Sequence, residues 1–362
     1  MFAKNTIAAI LAILCATAAL AQVPVGYPVD YQKIIDGAKK EGKVVIYSTT
    51  DSKAAAFLIK DFNALYPGIS VEYNDMNSTE VYNRFISEVA AGGTTADVMW
   101  SSAMDLQMKL ASDGYALKYK SIEADKIPAW AVWDDTAYGT TFEPAAIVYN
   151  KRLVDAKEVP QNHADFARLI VQPKFKDKVT TYDIEKSGIG FMFMAQDSKE
   201  NAQFADLEAA FGVAKVRVQS STGTMLERIS SGENLIAYNV LGSYALVRAK
   251  TDPSIGVALP KDYTLIMSRV QYINKAAKNV NAAKLWTDYL LSQRGQTQIA
   301  NGAKLFAIRA DVTGETTSSD LVKLIGAANV KTIPVHPVIL QYLEPAKRLA
   351  FLKKWKESAG KQ

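Results

Sequence analysis

The chain has 362 residues, 49% of them hydrophobic and 22% charged, with a formal net charge of +5. Length predicts about two domains, and the composition is that of a globular protein without low-complexity tracts or residue-level repeats. The basic excess is spread along the chain except at Arg348 to Lys361, which reads as the solvated face of a final helix. Nucleic acid is therefore not an expected partner.

Residues 1–21 differ from the rest. Lys4 precedes a nearly unbroken apolar run from Ile7 to Leu20, and Ala19-Leu20-Ala21 stands before Gln22. This is the pattern of a cleavable secretory signal, with an apolar core too short to span a bilayer comfortably. The single cysteine, Cys15, lies inside it, and Leu14 before it does not suit a lipoprotein cleavage box. An exported, cysteine-free mature protein follows, which excludes disulfides, a thiol nucleophile and a thiolate metal site.

The periodicity predicts a helix over 29–40 stopped by Gly42, then a strand from Val44 to Tyr47 running into Ser48-Thr49-Thr50-Asp51-Ser52. Leu58, Phe62 and Leu65 mark one face of a helix that Pro67-Gly68 ends. Ile69 to Tyr73 alternates as a strand, and Ser78 caps a helix ending at Gly92-Gly93. Ala96 to Trp100 is a strand followed by Ser101-Ser102-Ala103 and a helix to Gly114. This β-α-β-α-β-α run signals a mostly parallel sheet covered by helices.

Tyr138 to Lys151 reads instead as an extended strand pair broken at Pro144, able to carry the chain from one lobe to another. A second α/β run follows: strand 179–182, helix from Gly188, a polar helix near 200–211, strand 216–218 and a helix from Gly223 to Ser231. It ends in strand 235–239, whose corner at Gly242-Ser243 opens another helix. Val257 to Ile273 is a second extended return, and the remainder is mostly helical. The stretch from Ser230 to Lys250 organises this reading, because a strand ending in polar and glycine residues before a helix is where open α/β sheets bind ligands. Thr49–Ser52 and Trp100–Ala103 are similar corners, taken as further edges of the same cleft.

Six segments in order, the apolar leader, EGKVVIYSTTD, ADVMWSSAMDLQMKLASDGY, YGTTFEPAAIVYNK, SGIGF and SGENLIAYNV, resemble the periplasmic substrate-binding proteins of bacterial ABC importers. The likeness is to the ferric-ion-binding-like branch of the type II class. It covers essentially the whole mature chain. It implies a two-lobed α/β fold, each lobe a mostly parallel sheet flanked by helices, with the ligand trapped in a cleft at the hinge. The expected lobes are 22–141 with 265–307 and 142–264 with 308–362, joined near Thr141–Pro144 and Tyr263–Ile266.

Ferric relatives hold iron with a histidine, a glutamate and a tyrosine pair. By motif position this chain has Asp51, Ser102 and, at or near the pair, Gly242-Ser243, a poor set for a hard trivalent ion. No metal and no other cofactor is expected. The same corners offer donors instead: Thr49, Thr50, Ser101, Ser102 and Ser243. Ser187-Gly188 opens a helix where such relatives bind a phosphate-like anion, and Ser221-Thr222 repeats the arrangement at a second helix start. Trp100, Tyr138, Tyr238 and Tyr244 are candidates to pack on an organic body, with Asn239 beside them and Arg309 as an anion partner; Glu143 and Asp183 are secondary candidates.

The expected ligand is a small organic anion: a phosphate ester, phosphonate or carboxylate. Asp51 favours one that also bears a donor, such as a sugar phosphate or an aminophosphonate. The expected protein is a monomer, not an enzyme, that passes its ligand to an inner-membrane ABC permease from the periplasm. Ferric-iron binding, an exported hydrolase and a periplasmic sensor module are the alternatives. Against the hydrolase, the chain lacks G-x-S-x-G and H-E-x-x-H motifs and has only two histidines, His163 and His336, far apart.

Overall fold

A computed structural model describes residues 23–93 and 95–359. The expected signal segment, with Cys15, lies outside them. Among the described residues no helix is long and apolar enough to cross a membrane. The strands, in chain order, are β1 (Lys43–Ser48), β2 (Ser70–Asp75), β3 (Val98–Ser101), β4 (Val132–Trp133), β5 (Ala137–Gly139), β6 (Glu143–Asn150) and β7 (Val179–Tyr182). They continue with β8 (Arg217–Gln219), β9 (Ile236–Leu241), β10 (Ile255–Ala258), β11 (Thr264–Met267), β12 (Val270–Ile273) and β13 (Val330–Thr332).

They form two sheets, in the orders β2-β1-β3-β12-β5-β4 and β13-β11-β6-β9-β7-β8, with β10 pairing β6. Helices cover both, the two-lobed α/β arrangement that the sequence resemblance implies. The sheets are mixed rather than mostly parallel. β1 runs parallel to β2 and β3, but β12 pairs antiparallel with both β3 and β5; in the second sheet β6 is antiparallel to β9, β10 and β11. The reason is the crossovers, since a chain that leaves one sheet and later returns comes back in the opposite sense.

The local elements follow from residue pattern. In the helix Ser52–Leu65, Ala55, Leu58 and Phe62 share one face and are fully buried. Phe62 meets the rings of Trp286 and Tyr289 at 5.2 and 5.4 Å, which seats the helix Val280–Leu291 on the first sheet. The helix Gln32–Glu41 stops at Gly42, whose φ of 72° a residue with a side chain adopts only at a cost. In the second lobe Phe166, Phe211, Tyr238 and Trp355 pack ring against ring.

Two differences concern the crossovers. Pro144 does not break the extended segment. It is the second residue of β6, opposite Ile266 of β11, near a strand start where a missing N–H is tolerated; the chain changes sheets just before, at residues 140–142. On the return, the expected boundary between 264 and 265 cuts β11, which pairs wholly with β13 and β6 of the second sheet. The passage comes at Ser268-Arg269.

These two passages lie side by side. Thr140 N–H donates to the Arg269 carbonyl at 3.0 Å, and Thr141 N–H to Ser268 Oγ at 3.1 Å. Arg269 and Glu143, both fully buried, join them through an ion pair of 2.7 Å. Removing one member leaves the other charge buried and unpaired, at a cost of about 3–5 kcal/mol. Arg269→Ala and Glu143→Ala should each lower unfolding free energy by about that amount in denaturant titrations. The double variant should lose clearly less than the sum of the two.

Candidate ligand-binding cleft

The C-terminal ends of β1, β2 and β3 face those of β7, β8 and β9, and each of these strands leads into a helix. The helix starts at Ser52, Ser78 and Met104 therefore oppose those at Gly188, Thr222 and Gly242. Between them lies a cleft of about 600 Å³, a size ordinary for small-molecule sites. The loops continue the sheet ladder: Thr49 N–H donates to the Trp100 carbonyl at 3.1 Å and Met76 N–H to the Ser48 carbonyl at 2.9 Å. The polar corner residues are thus held by backbone pairing.

The lobes touch at the mouth. Ser78 Oγ accepts from Ile189 N–H at 3.3 Å, Thr79 Oγ1 donates to the Lys186 carbonyl at 2.8 Å, and Asp51 N–H donates to the Tyr244 hydroxyl at 3.3 Å. A Cβ on Gly188 would stand 2.6 Å from Leu106 Cδ1 and 3.2 Å from Ala103 Cβ, so a side chain here would have to displace the Leu106 side chain.

Of the residues singled out in the sequence, Thr49, Asp51, Ser102, Ser187, Ser221, Thr222 and Tyr244 line the cleft. Thr49 and Ser102 pair with each other, Oγ to Oγ at 3.1 Å, from neighbouring corners. Ser187 and Ser221 cap their helices by accepting from Gly190 and Thr224 N–H. Thr222 Oγ1 is hydrogen-bonded to the Tyr182 hydroxyl. The N–H groups of Thr222 and Gly223 have no acceptor among the described residues, as expected for the first turn of a helix.

The others lie outside the cleft wall, each because a buried partner claims it. Trp100 is fully buried, its indole donating to Thr140 Oγ1 at 2.8 Å, and Tyr138 donates to the Tyr119 carbonyl at 2.6 Å. Ser101 Oγ accepts from Ala103 N–H, and Gly188 faces the other lobe rather than the cleft. Tyr238 and Asn239 both bind Asp197, at 3.0 and 2.6 Å, in the core of the second lobe. Thr50 and Ser243 sit beneath the cleft floor, where Thr50 Oγ1 accepts from Arg269 at 3.1 Å and Ser243 donates to Glu143. Arg309 is buried in ion pairs with Glu123 and Asp311.

Several lining residues had not been singled out: Lys53, Asp75, Asn77 and Ser78 from the first lobe, Tyr182 and Arg248 from the second. The signal for Asn77 and Ser78 was present, since β2 ends at a capped helix just as β1 does. Val247, Arg248 and Thr251 follow Tyr244 at helical spacing, so one lining residue predicts the rest of that face.

Electrostatically, Lys53 and Arg248 face Asp51 and Asp75 within the lining, so side chains alone do not set the sign. Asp75 is occupied in accepting from Ser52 N–H at 2.8 Å and Ser52 Oγ at 3.1 Å. Burial pushes the Asp51 carboxyl upward against the pull of Arg269. Burial likewise raises the Tyr244 phenol to about 12 and lifts that of Tyr182, so both carry their protons at neutral pH. The helix starts then add positive potential from both sides.

The facing strand ends and the ligand-sized cleft between touching lobes define the periplasmic substrate-binding proteins of ABC transporters. The chain belongs to the bacterial extracellular solute-binding protein family, whose model matches residues 47–297. Among solved structures it is similar to the substrate-binding protein of an ABC transporter from Agrobacterium tumefaciens. The two are 38% identical over 88% of this chain and 94% of the other, with a TM-score of 0.83. The fold is shared with AfuA from Actinobacillus pleuropneumoniae, solved with fructose-6-phosphate. That match has 20% identity, covers 88% and 99% of the two chains and has a TM-score of 0.72. Iron-bound HitA from Pseudomonas aeruginosa shares it too, at 16% identity, 87% and 99% coverage and a TM-score of 0.67. No curated protein sequence matches the chain.

Asp105, in the helix Met104–Leu110 of the first lobe, is fully buried where that helix packs against the second-lobe helix Gly188–Glu200 and the segment Pro337–Tyr342. Burial raises its carboxyl from the ordinary value to about 7, although Leu106 N–H donates to it at 2.8 Å. Between about pH 4 and 7 the unfolded chain has lost this proton and the folded one keeps it. Asp105 therefore lowers stability as pH rises through that window, by up to about 1.4 kcal/mol per pH unit. Thermal melts of Asp105→Asn against the parent chain should show the variant gaining relative stability from pH 4 to 7, with a constant difference above.

Proposed function

We propose that this protein is the periplasmic component of an ABC uptake system, capturing a small organic anion between its lobes and delivering it, as a monomer, to the membrane permease. The observation that carries the ligand class is the convergence of helix N-termini from both lobes on one cleft, with the Thr222 and Gly223 N–H groups lacking an acceptor among the described residues. An anion satisfies such groups, whereas a neutral solute gains little from the field. Lys53 supplies further positive charge from the first lobe, Arg248 on the second is paired with Asp252 at 3.4 Å, and the Asp51 carboxylate is a natural partner for a hydroxyl or ammonium on the same molecule.

The donor set argues against ferric iron. A hard trivalent ion needs several anionic oxygens. Here Asp75 is engaged with Ser52, and among the described residues no three acidic, imidazole or thiol groups gather.

Calorimetry against phosphate esters, phosphonates, carboxylates and neutral sugars tests the assignment, with the expectation that only anions bind tightly. A Cβ on Gly223 would meet nothing closer than Ser221 Oγ at 3.8 Å, so Gly223→Val should fold normally. Its side chain obstructs approach to these N–H groups. Hydrogen bonds to a charged group are worth about 1.5–3 kcal/mol, so the variant should lose at least about tenfold in anion affinity with an unchanged melting point. Tight binding of a neutral solute, indifferent to Gly223→Val, would refute the assignment.

A further inference from the structure

Resting on the anion reading, we infer that the body of the solute is hydrocarbon and not a polyhydroxylated sugar. The second lobe lines the cleft with Ile189, Leu226, Leu241 and Val247, and the first adds Met76. Leu226 stands one turn beyond Thr222 and Val247 nearly one turn beyond Tyr244, so each apolar side chain follows a polar helix start on the same face. Ile189, Leu226 and Leu241 belong to one buried core cluster, against which Met76 and Tyr244 pack. This wall of the cleft is thus the outer layer of the hydrophobic core.

The hydroxyls around that wall are largely engaged. Ser187 and Ser221 cap helices, Ser78 accepts from Ile189 N–H, Thr222 is bonded to Tyr182, and Thr49 to Ser102. What remains is mostly donors, the N–H groups at the helix starts and the Lys53 ammonium, which an anionic head accepts, beside two carboxylates, Asp51 and Asp75, and hydrocarbon. A sugar brings several hydroxyls that need acceptors as well as donors. The acceptors, the Asp51 and Asp75 carboxylates, stand on the first lobe, away from the apolar wall of the second, and each hydroxyl set against Leu226, Leu241 or Val247 would lose its water without replacement. An alkyl or aryl chain gains from the same burial. The chemical class is therefore an apolar-bodied phosphonate or carboxylate with at most one donor-bearing substituent.

The test is calorimetry of the full-length mature chain with n-alkylphosphonates from methyl to pentyl, with glucose 6-phosphate and fructose 6-phosphate, and with 1-pentanol. Affinity should rise about fourfold for each methylene added, and pentylphosphonate should exceed both sugar phosphates by at least about tenfold. Val247→Asn should weaken pentylphosphonate by about tenfold and leave methylphosphonate unchanged. A flat alkyl series, a sugar phosphate binding as tightly as pentylphosphonate, or an equal loss of both phosphonates in Val247→Asn would overturn the hydrocarbon body while the anion reading stands. Pentanol binding as tightly as pentylphosphonate, or no anion in the series binding at all, would remove the anion reading and this inference together.

Discussion

The buried ion pair between Arg269 and Glu143 is the constraint on which the rest of the molecule depends. Withdrawing both charges from water costs several kcal/mol per ion unless every donor and acceptor is met. Here they are met. Arg269 Nε and Nη2 donate to Glu143 at 2.7 and 3.2 Å, and Nη1 donates to the Thr49 carbonyl and Thr50 Oγ1 at 3.2 and 3.1 Å. Thr141 and Ser243 donate to the same carboxylate, and the guanidinium lies 5.2 Å from the centre of the Tyr244 ring. Burial disfavours the arginine charge, but Glu143 more than compensates and keeps it protonated. The planar fork of arginine suits this many directed bonds in a way a lysine ammonium does not. One side chain thereby ties the first ligand corner, both crossovers and the opening of the second-lobe helix at Tyr244.

Each lobe has a buried carboxylate of its own. Asp288 accepts from Tyr31, Tyr119 and Ser121 at 2.5 to 2.7 Å, and burial raises it to about 6. Asp197 accepts from Tyr238, Asn239 and Tyr263, and burial raises it too. These clusters draw polar aromatic side chains into the lobes' interiors. The cleft lining combines short hydroxyls and hydrocarbon with Asp51, Asp75, Lys53, Arg248 and the phenols of Tyr182 and Tyr244.

The contacts that hold the lobes together at the mouth are few and neutral: Ser78 with Ile189, Thr79 with Lys186, and Tyr244 with Asp51. Each contributes about 0.5–1.5 kcal/mol at most. Behind the mouth the helix Met104–Leu110 packs on Gly188–Glu200 and Pro337–Tyr342, so apolar contact also joins the lobes; a solute spanning both walls biases closure only through its differential affinity for the two states.

The sequence by itself determined the two α/β runs, the extended crossovers, the family and the polar strand-to-helix corners. All of these rest on local periodicity and on residue types whose preferences act over a few positions. Thr49, Ser102, Ser187 and Ser221 were legible as corner residues for that reason. What the sequence could not decide is which polar residue near a corner faces solvent and which turns inward. Trp100, Tyr238, Asn239 and Arg309 resemble ligand contacts in sequence, but Thr140, Asp197 and Glu123 claim them in the fold. These partners lie 40 or more residues away, so no local pattern announces them. The Arg269–Glu143 pair is the extreme case: 126 residues separate two charges that neither position, read locally, would place in the dry centre of the molecule. Only the tertiary structure brings them together, because a buried charge is tolerated only where the whole chain has folded a partner against it.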